Sequence, residues 1–130
     1  ILWFSLGSVF DNLGNYDEAI LAYQKAIGVK SDYFDANYNL GALYFNKAVL
    51  GINEANEMWK PRMTRTEAAN QKKLEEDSKS MFVTARPYLE SAFQVDPTDI
   101  ETIRSLKDIY ARTGEDDKFL QMNDLLKGAQ

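Results

Sequence analysis

The sequence predicts an all-α protein built from repeated pairs of antiparallel helices. Residues 3–10, with the pattern W-x-x-L-G-x-x-F, recur 34 residues later as 37–44, N-x-x-L-G-x-x-Y, and residues 103–110 repeat the spacing once more. A fixed period of this length is typical of solenoids, in which each repeat buries its apolar face against the next. Only three prolines and seven glycines interrupt 130 residues, which favours long helices over a many-stranded sheet.

The apolar periodicity predicts six helices, and residues that start or stop helices set their ends. The helices are expected near 1–13, 16–29, 33–58, 66–95, 99–112 and 116–127. The end signals are left-handed glycines, capping residues with a glutamate three positions on, and prolines: Gly14 and Gly114; Asn15 with Glu18, Thr64 with Glu67, and Thr98 with Glu101; Pro61 and Pro97. Gly7 and Gly41 fall inside helices, where a missing side chain lets a partner helix approach closely.

The second unit contains 32 more residues than the first, because Leu40 and Leu106 lie 66 positions apart rather than 34. The surplus falls at about 46–84 and predicts a projecting hairpin of two elongated helices, which would reach roughly 20 Å. Pro87 is expected to kink or break the returning helix. Two interpretations stay open: the arm is a solvated structural element, or it carries a second contact surface around Trp59, Pro61 and Met63.

Composition excludes several kinds of chemistry. The chain has no cysteine and no histidine, which removes thiolate metal sites and the commonest general base. Its net charge of −5 disfavours nucleic acid as a partner. No run is apolar enough for direct membrane insertion, and segment 11–15, whose single acidic residue is Asp11, lacks the ligand pattern of a calcium loop. We therefore expect no enzyme, no cofactor and no bound metal.

The repeated motif, followed by Ala19-x-x-x-Tyr23-x-x-Ala26 and closed by Asp96-Pro97, resembles the tetratricopeptide repeat family. The resemblance implies a right-handed α-α superhelix forming one domain over 1–130, with repeats at 1–33, 34–99 and 100–130. It also implies a scaffold that binds a protein or peptide on its concave face. The alternative is a structural or self-association module, within a larger protein or a homo-oligomer.

The chain opens inside a helical pattern with Ile1, so we expect a piece of a longer protein. Residues 87–92, P-Y-L-E-S-A, together with the long insertion, resemble exported bacterial proteins of this family. The compartment stays open between an exported location, such as the periplasm, and the cytoplasm.

The resemblance also implies which residues bind. The family's concave-face positions are held here by Phe4, Ser8, Asp11 and Asn12; by Tyr38, Asn39, Ala42, Phe45 and Asn46; and by Arg104, Asp108 and Arg112. Tyr38 is the expected central anchor, whereas Phe4 and Phe45 are alternatively interpreted as packing against neighbouring helices. Family members that hold chaperone C-terminal tails use Lys, Asn, Asn, Lys and Arg at positions filled here by Phe4, Ser8, Asn39, Glu101 and Ser105. Only Asn39 agrees, so we expect no binding of such tails.

Overall fold

A computed structural model describes residues 1–129, and that range contains six α-helices and no strand. The helices are α1 (Leu2–Asn12), α2 (Tyr16–Val29), α3 (Phe34–Glu57), α4 (Arg65–Val95), α5 (Ile100–Arg112) and α6 (Asp116–Gly128). Each boundary lies within one residue of the sequence prediction, and the all-α class is confirmed. Gln130, the last residue of the predicted third repeat, lies outside the described residues.

The helices pack as three successive pairs. The main contacts join α1 to α2, α3 to α4 and α5 to α6, and the pairs stack because α2 also contacts α3 and α4 contacts α5. Two clusters of buried apolar residues result. One has at its centre Ala19, Tyr23, Leu40 and Leu43; the other has Ala48, Phe82, Ala85, Leu89, Ile103, Leu106, Ile109, Tyr110 and Met122. The right-handed twist expected of this stack stays a prediction.

Glycines set the closest approaches between paired helices. A Cβ atom on Gly7 would lie 2.6 Å from Cδ1 of Tyr23, and one on Gly41 would lie 2.6 Å from Cγ of Leu89. Both distances are far shorter than van der Waals contact, so the expected role of these glycines is confirmed. A third close approach, between Gly51 and Ser78, was not predicted; there a Cβ would lie 1.9 Å from the Ser78 hydroxyl oxygen.

The turns between paired helices follow two of the predicted signals. Gly14 and Gly114 adopt positive φ angles of 78° and 72°, which confirms the left-handed positions. Thr64 and Glu67 form the predicted capping box at the start of α4. The Glu67 backbone amide donates to the Thr64 hydroxyl at 3.1 Å, and the Thr64 amide donates to the Glu67 carboxylate at 3.2 Å.

Of the other two predicted caps, one is confirmed in position only and one is wrong. Asn15 is the N-cap residue of α2, but its side chain makes no capping hydrogen bond. Helix α5 is capped by Asp99, whose carboxylate accepts from the Thr102 amide at 3.0 Å, rather than by Thr98. The Thr98 hydroxyl instead donates to the Asp96 carboxylate at 2.6 Å. Both residues lie, with Pro97, in the turn that follows α4. Two adjacent residues with capping side chains thus compete, and the aspartate holds the cap.

Pro87 does not break α4, which runs without interruption from Arg65 to Val95. Because proline has no N–H, the Val83 carbonyl has no donor within the helix. Pro87 and Val83 are both exposed, so water can replace the missing donor. On the opposite side of the helix, Ala85 and Leu89 are completely buried. This packing holds the backbone helical on both sides of the proline. The predicted break is wrong, and the alternative, a kink, stays a prediction.

The insertion lengthens α3 and α4 into an ordered arm. These helices have 24 and 31 residues, against 11 to 14 for the others in the described part of the chain. The Gln71 side-chain amide donates to the Ala55 carbonyl at 2.9 Å, which ties the helices together near the tip. Trp59 and Pro61 are exposed there, and the interpretation of the tip as a second contact surface stays a prediction. Within residues 1–129 no helix combines the length and the apolar content needed to cross a bilayer.

Candidate functional site

A cleft of about 220 Å³ opens where α1, α2 and α3 meet. Half of the predicted groove residues line it. They are Ser8, Asp11 and Asn12 from α1, and Asn39, Ala42 and Asn46 from α3. The structure therefore brings the first-unit and second-unit parts of the predicted groove to one place.

The 34-residue repeat explains why these side chains converge. Ser8 and Ala42 hold equivalent positions, as do Asn12 and Asn46, so the same face of each first helix is presented to the cleft. Along α3, Asn39 and Asn46 are seven residues apart, which places them about two turns apart on one side of the helix. The cleft is consequently a product of helix register rather than of a loop.

Tyr23 contributes to the cleft in a way that its sequence position did not reveal. Its ring is buried and packs on α1, and its hydroxyl donates to the Asp11 carboxylate at 3.2 Å. Burial and the neighbouring Asp11 carboxylate raise the pKa of Tyr23 to about 12, although a hydrogen bond from Asn39 opposes the shift. The phenol is therefore protonated near neutral pH and can donate its hydrogen bond to the Asp11 carboxylate.

Tyr16, Lys47, Leu43 and Leu50 also line the cleft and were not predicted as groove residues. The Lys47 ammonium lies 5.9 Å from the centre of the Tyr16 ring, within range of a cation–π interaction. Tyr16 is exposed beside the cleft.

The cleft's donors and acceptors suit a polar chain rather than a reaction. Three asparagine amides, the hydroxyls of Ser8 and Tyr23, one carboxylate and one ammonium face an open space with an apolar wall. A primary amide donates and accepts at once, which matches the alternating N–H and C=O groups of a peptide backbone. The arrangement can therefore hold an extended segment along α3.

The three predicted aromatic anchors do not line this cleft. Phe4 lies 5.3 Å from the Tyr33 ring, and Phe45 meets Phe82 edge to face at 5.3 Å. Tyr38 stacks on Phe34, one helical turn earlier, at 5.9 Å. All three are half-buried, and the contacts of Phe4 and Phe45 are those of the alternative interpretation. Their part in binding stays a prediction.

The third-unit residues lie elsewhere. Arg104 and Asp108 line a separate cleft of about 650 Å³ between α5 and α6, together with Lys107, Ala111, Phe119, Asn123, Leu126 and Lys127. Arg112 donates to Asp108 at 2.9 Å, and its guanidinium lies 4.6 Å from the centre of the Phe82 ring. The three third-unit residues therefore do not line the cleft between α1 and α3. Among residues 1–129, no three histidine, cysteine, aspartate or glutamate side chains come together as a metal site would require.

The stacked helix pairs, with a polar cleft between successive first helices, define a helical-repeat protein. Residues 4–47, which span the first pair and the first half of α3, match a family model described as TPR repeat. The match covers about a third of the chain, and together with the six helices of residues 1–129 it supports a protein of the tetratricopeptide repeat family. Such repeats are generally non-catalytic scaffolds for protein–protein interaction. No curated protein matches the sequence.

The match ends at residue 47, at the start of the insertion, and covers neither α4 nor the last two helices. The division into repeats at 1–33, 34–99 and 100–130, within a single domain, therefore stays a prediction.

Proposed function

We propose that the protein binds an extended peptide segment of another protein in the cleft between α1 and α3. The observation that carries this proposal is the convergence of Asn12, Asn39 and Asn46 in one open cleft. Surface asparagines are scattered in most proteins, but here the helix register points three of them at a common space. No catalytic role is proposed, and protein rather than nucleic acid is the proposed partner of this acidic chain.

The spacing of the amides fits a peptide backbone. Seven residues of helix rise about 10 Å, so Asn39 and Asn46 are separated by roughly the length of three extended residues. Backbone recognition of this kind tolerates many side chains, and the charges of Asp11 and Lys47 would add a preference for direction or sequence. Leu43 and Leu50 would cover an apolar side chain of the peptide.

The test uses peptides selected on the protein itself. A random linear peptide library is panned on the immobilised chain, and the best binders are measured by calorimetry against variants. Asn39→Ala with Asn46→Ala is expected to weaken binding about 10-fold or more, because each lost amide contact contributes about 0.5–1.5 kcal/mol. Tyr38→Ala is measured in parallel, to decide whether the neighbouring ring is an anchor.

The matched control is Asn53→Ala with Asn56→Ala. These residues have the same type on the same helix, but they are exposed on the arm, away from the cleft. The proposal is refuted if selected peptides bind the Asn39 and Asn46 variant as tightly as the original chain. Self-association, the alternative function, stays a prediction.

A further inference from the structure

Asp11 differs from the other half-buried carboxylates of residues 1–129 in having neither a cation nor a backbone amide as partner. Those with an ion pair are Glu67, Glu75, Glu90, Asp108 and Glu115, and those that accept from a backbone amide are Asp96 and Asp99. Asp11 accepts one hydrogen bond, from the Tyr23 hydroxyl at 3.2 Å. Its charge is therefore left for a group that binds from outside.

The hydrogen bond from Tyr23 does not exhaust the Asp11 carboxylate. A carboxylate offers about four acceptor positions on its two oxygens, and a hydroxyl donor brings no positive charge. Tyr23 donates to Oδ2, and no donor among residues 1–129 reaches Oδ1. Because Asp11 lines the cleft between α1 and α3, a bound peptide can reach these open positions.

The end of α1 adds to the negative potential beside Asp11. Asp11 lies in the last turn of the helix, and that turn contains no lysine or arginine. The carboxyl end of a helix has partial negative charge, which favours a cation nearby and disfavours an anion. The carboxylate and the helix end therefore act in the same direction in this part of the cleft.

Lys47, the cation that lines the same cleft, does not neutralise Asp11. Its ammonium forms no ion pair with the carboxylate and lies 5.9 Å from the centre of the Tyr16 ring. Leu43 and Leu50 also line the cleft. Long cationic side chains place their methylene groups along apolar surface while the charged end reaches a polar partner. The cleft thus offers both surfaces that a lysine or arginine side chain requires.

We propose that the peptide held in this cleft contains a lysine or arginine whose charged group pairs with Asp11. This inference rests on the proposed function and names the chemistry of the ligand that the asparagines hold. Hydrogen bonds between a cation and a carboxylate are shorter and stronger than those between neutral groups, so one such contact can select among peptides. An acidic residue at the same place would be repelled by Asp11 and by the end of α1.

The peptides selected from the random library test the proposal directly. They are expected to share a lysine or arginine at one position, and Asp11→Asn is expected to weaken their binding about 10-fold or more. The same loss is expected when that peptide residue is replaced by glutamine. Once the cation is gone, Asp11→Asn should cause no further loss, as a double-mutant cycle by calorimetry measures.

The matched control is Asp17→Asn. Asp17 is also an aspartate near the turn between α1 and α2, but it is exposed and does not line the cleft. This control is expected to change the affinity less than about twofold. Asp11→Lys should reverse the preference, so that peptides with glutamate in place of the cation bind better than the originals. Circular dichroism verifies that all three variants stay helical.

Equal binding of the selected peptides by the original chain and by Asp11→Asn overturns this inference. If those peptides still depend on Asn39 and Asn46, the proposed function stands without it. Peptides that depend on Asp11 but not on the two asparagines would instead overturn the recognition of the backbone by amides. A library that yields no binder overturns both.

Discussion

Replacement of Gly41 by alanine tests how closely α3 and α4 approach. The new Cβ would lie 2.6 Å from Cγ and 2.9 Å from Cδ2 of Leu89, and 3.3 Å from the Leu89 backbone nitrogen. Leu89 is completely buried, so its side chain has no free space to enter, and the two helices must separate. Overpacking of this kind costs about 1–3 kcal/mol. Alanine recovers about 1 kcal/mol of helix propensity, which leaves a net loss of up to about 2 kcal/mol.

The matched control is Gly28→Ala. Gly28 also lies within a helix, but no atom comes within 4 Å of a Cβ built there. The same substitution is therefore expected to stabilise the protein, by up to about 1 kcal/mol. Equilibrium urea unfolding, followed by circular dichroism, measures both free energies. Equal effects at the two glycines would refute the reasoning, because helix propensity alone would then explain them.

Three other predictions concern ionisation, the arm and the choice of ligand. Burial raises the pKa of both Tyr23 and Tyr110 to about 12, above the ordinary value of 10, so unfolding releases protons at high pH. The free energy of unfolding should fall as pH rises from 10 to 12, and Tyr23→Phe should reduce that fall in a pH series of urea titrations. Thr64→Ala removes the capping box and should cost the start of α4 about 1 kcal/mol, seen as faster tryptic cleavage after Arg65 with no change elsewhere. Calorimetry with an acidic chaperone-type C-terminal peptide should detect no micromolar binding, because Glu101 is exposed where the family's binders have lysine; micromolar affinity would contradict this.

The fold could be predicted from the sequence because its determinants are local and repeated. The 34-residue period fixed the helix count, and residues such as Gly14 and Gly114 act through their own backbone angles. The wrong predictions concern places where packing against neighbouring helices determines the backbone conformation. Pro87 stays helical because Ala85 and Leu89 are buried against other helices, which no local rule records.

The candidate site was predicted in part for the same reason. Ser8, Asn12 and Asn46 converge because the repeat register alone points them at the cleft. Arg104 lies in a different cleft because successive helix pairs are displaced from each other along the stack. Transferring the family's binding positions one by one onto this sequence gives no information on that displacement. Tyr23 was recognised as part of the repeat motif, but the direction of its hydroxyl toward Asp11 required coordinates.

The hairpin arm allows one part of this protein to change length freely. Its two helices extend from the stack side by side and are joined by the turn around Trp59 and Pro61. Residues inserted in that turn would therefore begin and end at neighbouring points at the tip. Gly41 and Leu89, at the base, keep their mutual register whatever the tip contains. A reporter group or a whole domain inserted near Arg62 would thus be displayed on a stalk, and the cleft between α1 and α3 would remain undisturbed.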